Sequence, residues 1–226
     1  MKLEKKRRDE MYGFVDRTRN PITGRCPFAC DYCYAKGYHH SKPGVFILDE
    51  SALNNLGEHR TIFIGSRIDM WNNLISSEIL SRILQICRGW INEYLFQSKN
   101  PKRFADFISE FPPQSILCTT IETNREDLVA AVSKAPSIHE RVKAMQELNW
   151  KWKMVTIEPI MEFDLPELMG MIEAIKPQWI NIGADSKGHH LPEPAKEKVI
   201  ELENELRKEY HGYLILKSNL SRLLEE

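Results

Sequence analysis

Arg25-Cys-Pro-Phe-Ala-Cys-Asp-Tyr-Cys-Tyr-Ala35 places Cys26, Cys30 and Cys33 within eight residues, in a CxxxCxxC spacing. Three thiolates on one short loop can hold three irons of a cubane 4Fe-4S cluster, whereas a cluster that only carries electrons normally takes four cysteines. The remaining iron is then open to a small molecule, by the logic that separates catalytic from structural zinc sites.

Two other uses of the thiols compete with this one. A disulfide framework fits poorly with five cysteines, no signal peptide and the charged start Lys2-Leu-Glu-Lys-Lys-Arg-Arg8, which together imply a reducing, cytoplasmic compartment. Zinc is the stronger competitor, because His39 or His40 can supply a fourth tetrahedral ligand. Zinc loops more often use paired C-x-x-C units, and this favours the cluster. Cys87 and Cys118 lie in apolar stretches and read as small buried hydrophobes.

A chain of 226 residues with 42% hydrophobic content can bury one sizeable core, so one domain over 1–226 is expected, with residues 1–10 as a basic tail. The net charge of -1 carries no global preference for nucleic acid or an anionic membrane surface. No apolar run approaches the roughly 18 residues that span a bilayer, so no membrane partner is expected.

After the cysteine loop, short β-type runs alternate with amphipathic helical stretches, the pattern of βα units building a parallel sheet. Strands are expected at 12–15, 61–65, 94–97, 115–121, 153–157 and 178–183, with a last edge strand at 213–216. Helices are expected at 77–90, 101–111, 138–148, 165–175 and 193–210, and a short one closes the chain.

The expected strands end in polar residues: Gly65 and Ser66, Gln97 and Lys99, Thr120 and Glu122, Thr156 and Glu158, Asn181 and Asp185. In parallel β/α barrels the site forms at the C-terminal strand ends. Period-two alternation keeps residues two apart on one face, so these side chains should converge on one cavity. Buried parallel strands are otherwise nearly continuous apolar runs, and inward polar groups need a reason.

The cysteine segment, with the aromatic Tyr32 directly before the third cysteine, resembles the signature loop of the radical S-adenosylmethionine superfamily. That resemblance implies an α/β fold of the partial (β/α)6 TIM-like barrel type with the cluster loop after the first strand. It also implies an enzyme with a 4Fe-4S cluster on Cys26, Cys30 and Cys33 and S-adenosyl-L-methionine on the open iron. An external one-electron donor would drive cleavage to a 5'-deoxyadenosyl radical, which takes hydrogen from a substrate. Asn20-Pro-Ile-Thr-Gly24, Gln97-Ser-Lys-Asn-Pro101, Thr120-Ile-Glu122, Thr156-Ile-Glu-Pro159 and Trp179-Ile-Asn-Ile-Gly-Ala-Asp-Ser186 further resemble an uncharacterised phage-associated radical S-adenosylmethionine family, distantly similar to spore photoproduct lyase.

The resemblance assigns roles. Lys99 would pair with the methionine carboxylate, Glu122 would bind the ribose hydroxyls, and Tyr32 would stack near the adenine. The family often places an acid after the second strand to hold the methionine amino group. This chain has Gly65 and Ser66 there without an adjacent glutamate, leaving Ser66 and then Asp69 as acceptors. Thr120, Glu158 and Asp185 complete the cofactor-binding set.

The substrate is read as a small molecule or nucleic acid, with a base or nucleotide implied by the distant lyase resemblance. Lys5-Lys-Arg-Arg8 and the pair Lys102-Arg103 are candidate phosphate contacts, although a basic end is more often a solvated tail. His189-His190 offers proton transfer near the site or a water-exposed loop. The alternative is a non-catalytic zinc or iron-sulfur module that docks a protein partner through the helix at 193–210.

Overall fold

Arg17–Arg19 forms the first strand, β1, and pairs in parallel with β4, Thr61–Ile64, Arg17 opposite Ile62. The computed structural model describes residues 12–38, 42 and 44–225, so the basic tail at 1–10 and both His39 and His40 lie outside the described residues. A short antiparallel ribbon of β2, Ile22–Thr23, and β3, Ile47–Leu48, encloses the cysteine segment in the chain.

The order continues with α1 (Ser77–Arg88), β5 (Glu93–Ser98), β6 (Ser115–Thr120), α2 (Glu126–Val132), α3 (Ile138–Glu147), β7 (Lys153–Ile157), α4 (Leu165–Ile175), β8 (Trp179–Ile182), α5 (Lys196–Glu209), β9 (Tyr213–Leu216) and α6 (Ser221–Glu225). The seven long-range strands form a mostly parallel sheet in the order β1-β4-β5-β6-β7-β8-β9. The described residues divide into two compact units, one within 12–27, 35–98 and 103–117, the other within 28–34, 99–102 and 118–225. Strand β6 contributes its first half to one unit and its second half to the other.

Burial explains why these runs are strands. Every residue of β4, β6, β7 and β8 is buried, as expected of parallel strands covered on both faces. The helices are set by their ends. Ser76 accepts from the Ile79 amide at the start of α1, and Ser137 with Glu140 forms a capping box on α3. Helix α5 begins at Lys196 rather than 193, because Pro194 disfavours helical backbone at the residue before it.

Two sequence expectations are corrected. Residues 12–15 are not a strand: the Val15 amide closes a turn on the Tyr12 carbonyl at 3.0 Å, and Tyr12, Phe14 and Val15 are all buried. The apolar run therefore fills core space in a turn, and the strand falls on the polar residues that follow. Residues 101–111 do not form an α-helix; Pro101–Phe107 is a 3-10 turn. Three residues per turn eclipses Phe104 and Phe107, and both rings meet Trp71, at 5.0 and 5.7 Å between centroids. Arg103 of the same turn donates to the Asn72 and Ile75 carbonyls and anchors that loop.

Gly65 follows β4 with φ +83, and its amide donates to the Arg19 carbonyl at 2.8 Å. An added Cβ would stand 2.5 Å from the sulfur of fully buried Met70. Gly65→Ala is therefore expected to cost about 2 kcal/mol, from backbone strain and overpacking together. Thermal denaturation should show a fall of about 2–4 °C for each kcal/mol in a chain of this size. No helix among the described residues is long and apolar enough to cross a membrane.

Candidate functional site

Strand β6 leads to Glu122, whose side chain is entirely buried in the second unit. A buried carboxylate needs compensating charge. Glu122 has it on both oxygens: Tyr32 and Lys99 bind Oε1, and Arg141 of α3 donates Nη1 to Oε2 at 2.8 Å. Arg141 is also fully buried, and it reaches the Thr120 carbonyl at 3.1 Å and the Pro136 carbonyl at 2.7 Å. Lys99 stands 4.5 Å from the centre of the Tyr32 ring and retains 15% side-chain exposure.

The electrostatics of this cluster are unequal. Burial pushes the Glu122 carboxyl up, but the Arg141 charge, the Lys99 charge and hydrogen bonds from Lys99 and Tyr32 override it and hold the group at about 2. Tyr32 is pushed well above the ordinary phenol range, first by burial and then by the negative charges of Glu122 and Cys30. The phenol stays protonated and donates to Glu122. Two cations thus bind one carboxylate, and of the two only the Lys99 side chain keeps any exposure.

Tyr32 belongs to the cysteine loop. Among the described residues no disulfide joins any of the five cysteines; Cys30 is buried, while Cys26 and Cys33 are half-buried. The Cys33 amide turns back to the Cys30 carbonyl at 3.1 Å. Asp31 N–H donates to the Val132 carbonyl at 2.8 Å and Lys134 N–H to the Phe28 carbonyl at 2.7 Å, so the loop is stitched to the chain leaving α2. Among the described residues no three His, Cys, Asp or Glu side chains surround one point as a single-ion site needs. The thiolates of a cubane each bind a different iron and need not meet at one point. Cysteine sulfur outside any disulfide, on a backbone-braced loop, is a donor set of the kind that such a cluster uses.

The other expected residues fall into three places. Cys26, Gly65 and Ser66 are in the first unit, where Ser66 donates to Asn20 Oδ1 at 3.2 Å. Asp69 there accepts from Ser98 Oγ at 2.8 Å and from the Trp71 amide at 3.1 Å. Glu158 stands in the second unit beside Lys217, 2.7 Å away, and Asn181, which also donates to Thr156 Oγ1 at 2.9 Å. The register sets Thr156 opposite Asn181, so period-two alternation does bring Thr156, Glu158 and Asn181 together. Gly183 gives the Glu158 carboxyl its room: a Cβ would lie 2.8 Å from the carboxyl carbon, so any larger residue would have to displace that side chain.

Asp185 closes its own loop, accepting from the His189 backbone, from His189 Nδ1 at 2.6 Å and from the Lys187 amide at 3.2 Å. Burial would raise its carboxyl, and these hydrogen bonds, led by that from His189, keep it below the ordinary value. Sequence reasoning missed Arg141. Arg141 carried a legible signal: it lies on the buried stripe of α3 with Ile138, Val142 and Met145, where a cation needs a partner.

No protein-family model and no curated protein sequence matches the chain. Solved structures do match. A cysteine-to-serine mutant of spore photoproduct lyase aligns with TM-score 0.68 and 11% identity, over 96% of this chain and 80% of that one. A double mutant of the same lyase with bound AdoMet and dinucleoside spore photoproduct gives 0.67 and 11%, over 95% and 78%. SuiB of Streptococcus suis bound to S-adenosylmethionine gives 0.60 and 10%, over 89% of this chain and 50% of that one. At such identities the shared property is the fold: a mostly parallel α/β sheet of the kind found in spore photoproduct lyase and SuiB.

Proposed function

We propose that this chain is a radical S-adenosylmethionine enzyme, built as one core of the partial (β/α)6 barrel type and nearest to the phage-associated family. The carrying observation is that Tyr32, set between Cys30 and Cys33, binds Glu122 together with Lys99. The cluster loop and the strand-end charges thereby form one constellation. The likeness to two proteins crystallised with AdoMet or S-adenosylmethionine supports the reading.

In it, Cys26, Cys30 and Cys33 hold a 4Fe-4S cluster. Such a cluster, when bound together with S-adenosylmethionine and supplied by an external one-electron donor, would provide the chemistry of reductive cofactor cleavage and hydrogen abstraction from substrate. Lys99, whose side chain keeps 15% exposure, offers its ammonium to the methionine carboxylate. Arg141 keeps Glu122 ionised when Lys99 turns to that ligand, and burial strengthens both pairings. Glu122 can accept ribose hydroxyls at Oε1 only as Tyr32 and Lys99 release it. Ser66, Thr120, Glu158 and Asp185 remain cofactor or substrate contacts in this proposal. The substrate class that fits best is a nucleic-acid base or nucleotide, in line with the dinucleoside photoproduct bound by the lyase neighbour.

The test is anaerobic reconstitution, reduction and addition of S-adenosylmethionine, with 5'-deoxyadenosine as the product sought. Its absence from protein carrying a full cluster refutes the enzyme, and stoichiometric zinc without iron replaces it with a metal module. Lys99→Ala should weaken S-adenosylmethionine binding about 10-fold to 100-fold, since a charge-assisted hydrogen bond contributes about 1.5–3 kcal/mol. Iron content should not change, because the Arg141–Glu122 pair stays intact. Equilibrium binding to the reconstituted variant measures both.

A further inference from the structure

Chain leaving α2 does more than brace the cysteine loop. Ser133 Oγ lies 3.1 Å from Cys30 Sγ, and both side chains are buried. The same oxygen accepts the Ala135 amide at 3.2 Å, and an amide N–H can only donate. The Ser133 hydroxyl therefore keeps its own hydrogen for the sulfur. A thiolate bound to iron carries no hydrogen, so in that state only Ser133 can be the donor.

The placement is held from both sides. The Asp31–Val132 and Lys134–Phe28 backbone hydrogen bonds flank the Cys30–Ser133 contact. Cys30 is also the buried member of the three loop cysteines. A hydrogen bond is least screened and most directional where water is excluded.

We propose that Ser133 is a positioning residue for the cluster: it donates to the Cys30 thiolate, fixes that ligand's orientation and raises the reduction potential of the bound cluster. The inference rests on the cluster reading above. Reduction adds negative charge to the cluster and its sulfurs, and a donor at a ligand sulfur stabilises the reduced form more than the oxidised one. Removing the donor should make the cluster harder to reduce.

The full chain, reconstituted anaerobically, is titrated against solution potential while the reduced cluster is followed by electron paramagnetic resonance. Wild type, Ser133→Ala and Ser133→Thr are compared at equal iron and sulfide content. Ser133→Ala is expected to lower the reduced-to-oxidised ratio at fixed potential by about tenfold, which for a one-electron couple is about 59 mV. Ser133→Thr, which keeps the hydroxyl, should return to the wild-type potential. A full cluster in Ser133→Ala with an unchanged potential overturns the proposal, as does an equal shift in both variants. Loss of the cluster from Ser133→Ala alone supports it, because the hydroxyl is then needed to hold Cys30. A wild-type chain that takes up no iron overturns the cluster reading itself, a result distinct from any difference among the variants.

Discussion

Glu122→Gln should lower the melting temperature of the metal-free chain by on the order of 10 °C. The substitution preserves shape and removes the carboxylate that, among the described residues, pairs with buried Arg141, whose side chain has no exposure. Breaking a buried pair from one side costs about 3–5 kcal/mol, because the surviving charge is left without compensation. For 150–250 residues each kcal/mol moves the transition by about 2–4 °C. Lys99 aggravates the loss, since two cations would then face one neutral amide. Adding Arg141→Met should recover part of the stability, as the coupling between contacting residues is not additive. A double variant no more stable than Glu122→Gln would place the cost elsewhere than in the uncompensated arginine.

The same pair has a pH signature. The folded Glu122 carboxyl is held at about 2, against 4.5 for a free glutamate, so its ionised form stabilises the native state. That stabilisation is complete above about pH 4.5 and drains away as the pH falls towards 2. Urea denaturation of the wild type at a series of acid pH values should show this decline. Glu122→Gln should show a shallower one over the same window.

Cys30→Ala should abolish cluster assembly and with it all 5'-deoxyadenosine. A cluster with one open iron has three protein ligands, and losing one leaves two irons without protein thiolate. Cys26→Ala and Cys33→Ala should behave alike. Cys87→Ala and Cys118→Ala are the controls: both thiols are fully buried in α1 and β6, and burial pushes Cys87 up to about 12, away from the thiolate form that ligates metal. Iron and sulfide analysis of the five variants decides the assignment. Undiminished iron in Cys30→Ala would remove it from the ligand set.

Much of this architecture is legible in the residues. Strand β7 and helix α4 fall where periodicity and composition put them, because a doubly covered strand has to be an apolar run and a helix has to show its stripe, and the edge strand β9 falls on its expected apolar run as well. The cysteine spacing is equally local. The 12–15 and 101–111 segments were misread because their apolar residues satisfy packing in a turn and around Trp71, and composition does not distinguish such uses from a strand or an α-helix.

By itself, then, the amino-acid order determined the alternation of strands and helices, the three-cysteine loop and the polar strand ends. Each of these is a property of neighbours along the chain. Only the tertiary structure decided that Arg141 neutralises Glu122, 19 residues away, and that Ser133 meets Cys30 across 103. Local periodicity states which face of an element must be buried. Which buried charges and hydroxyls then meet depends on how the elements close on one another, and chain separation carries no record of that.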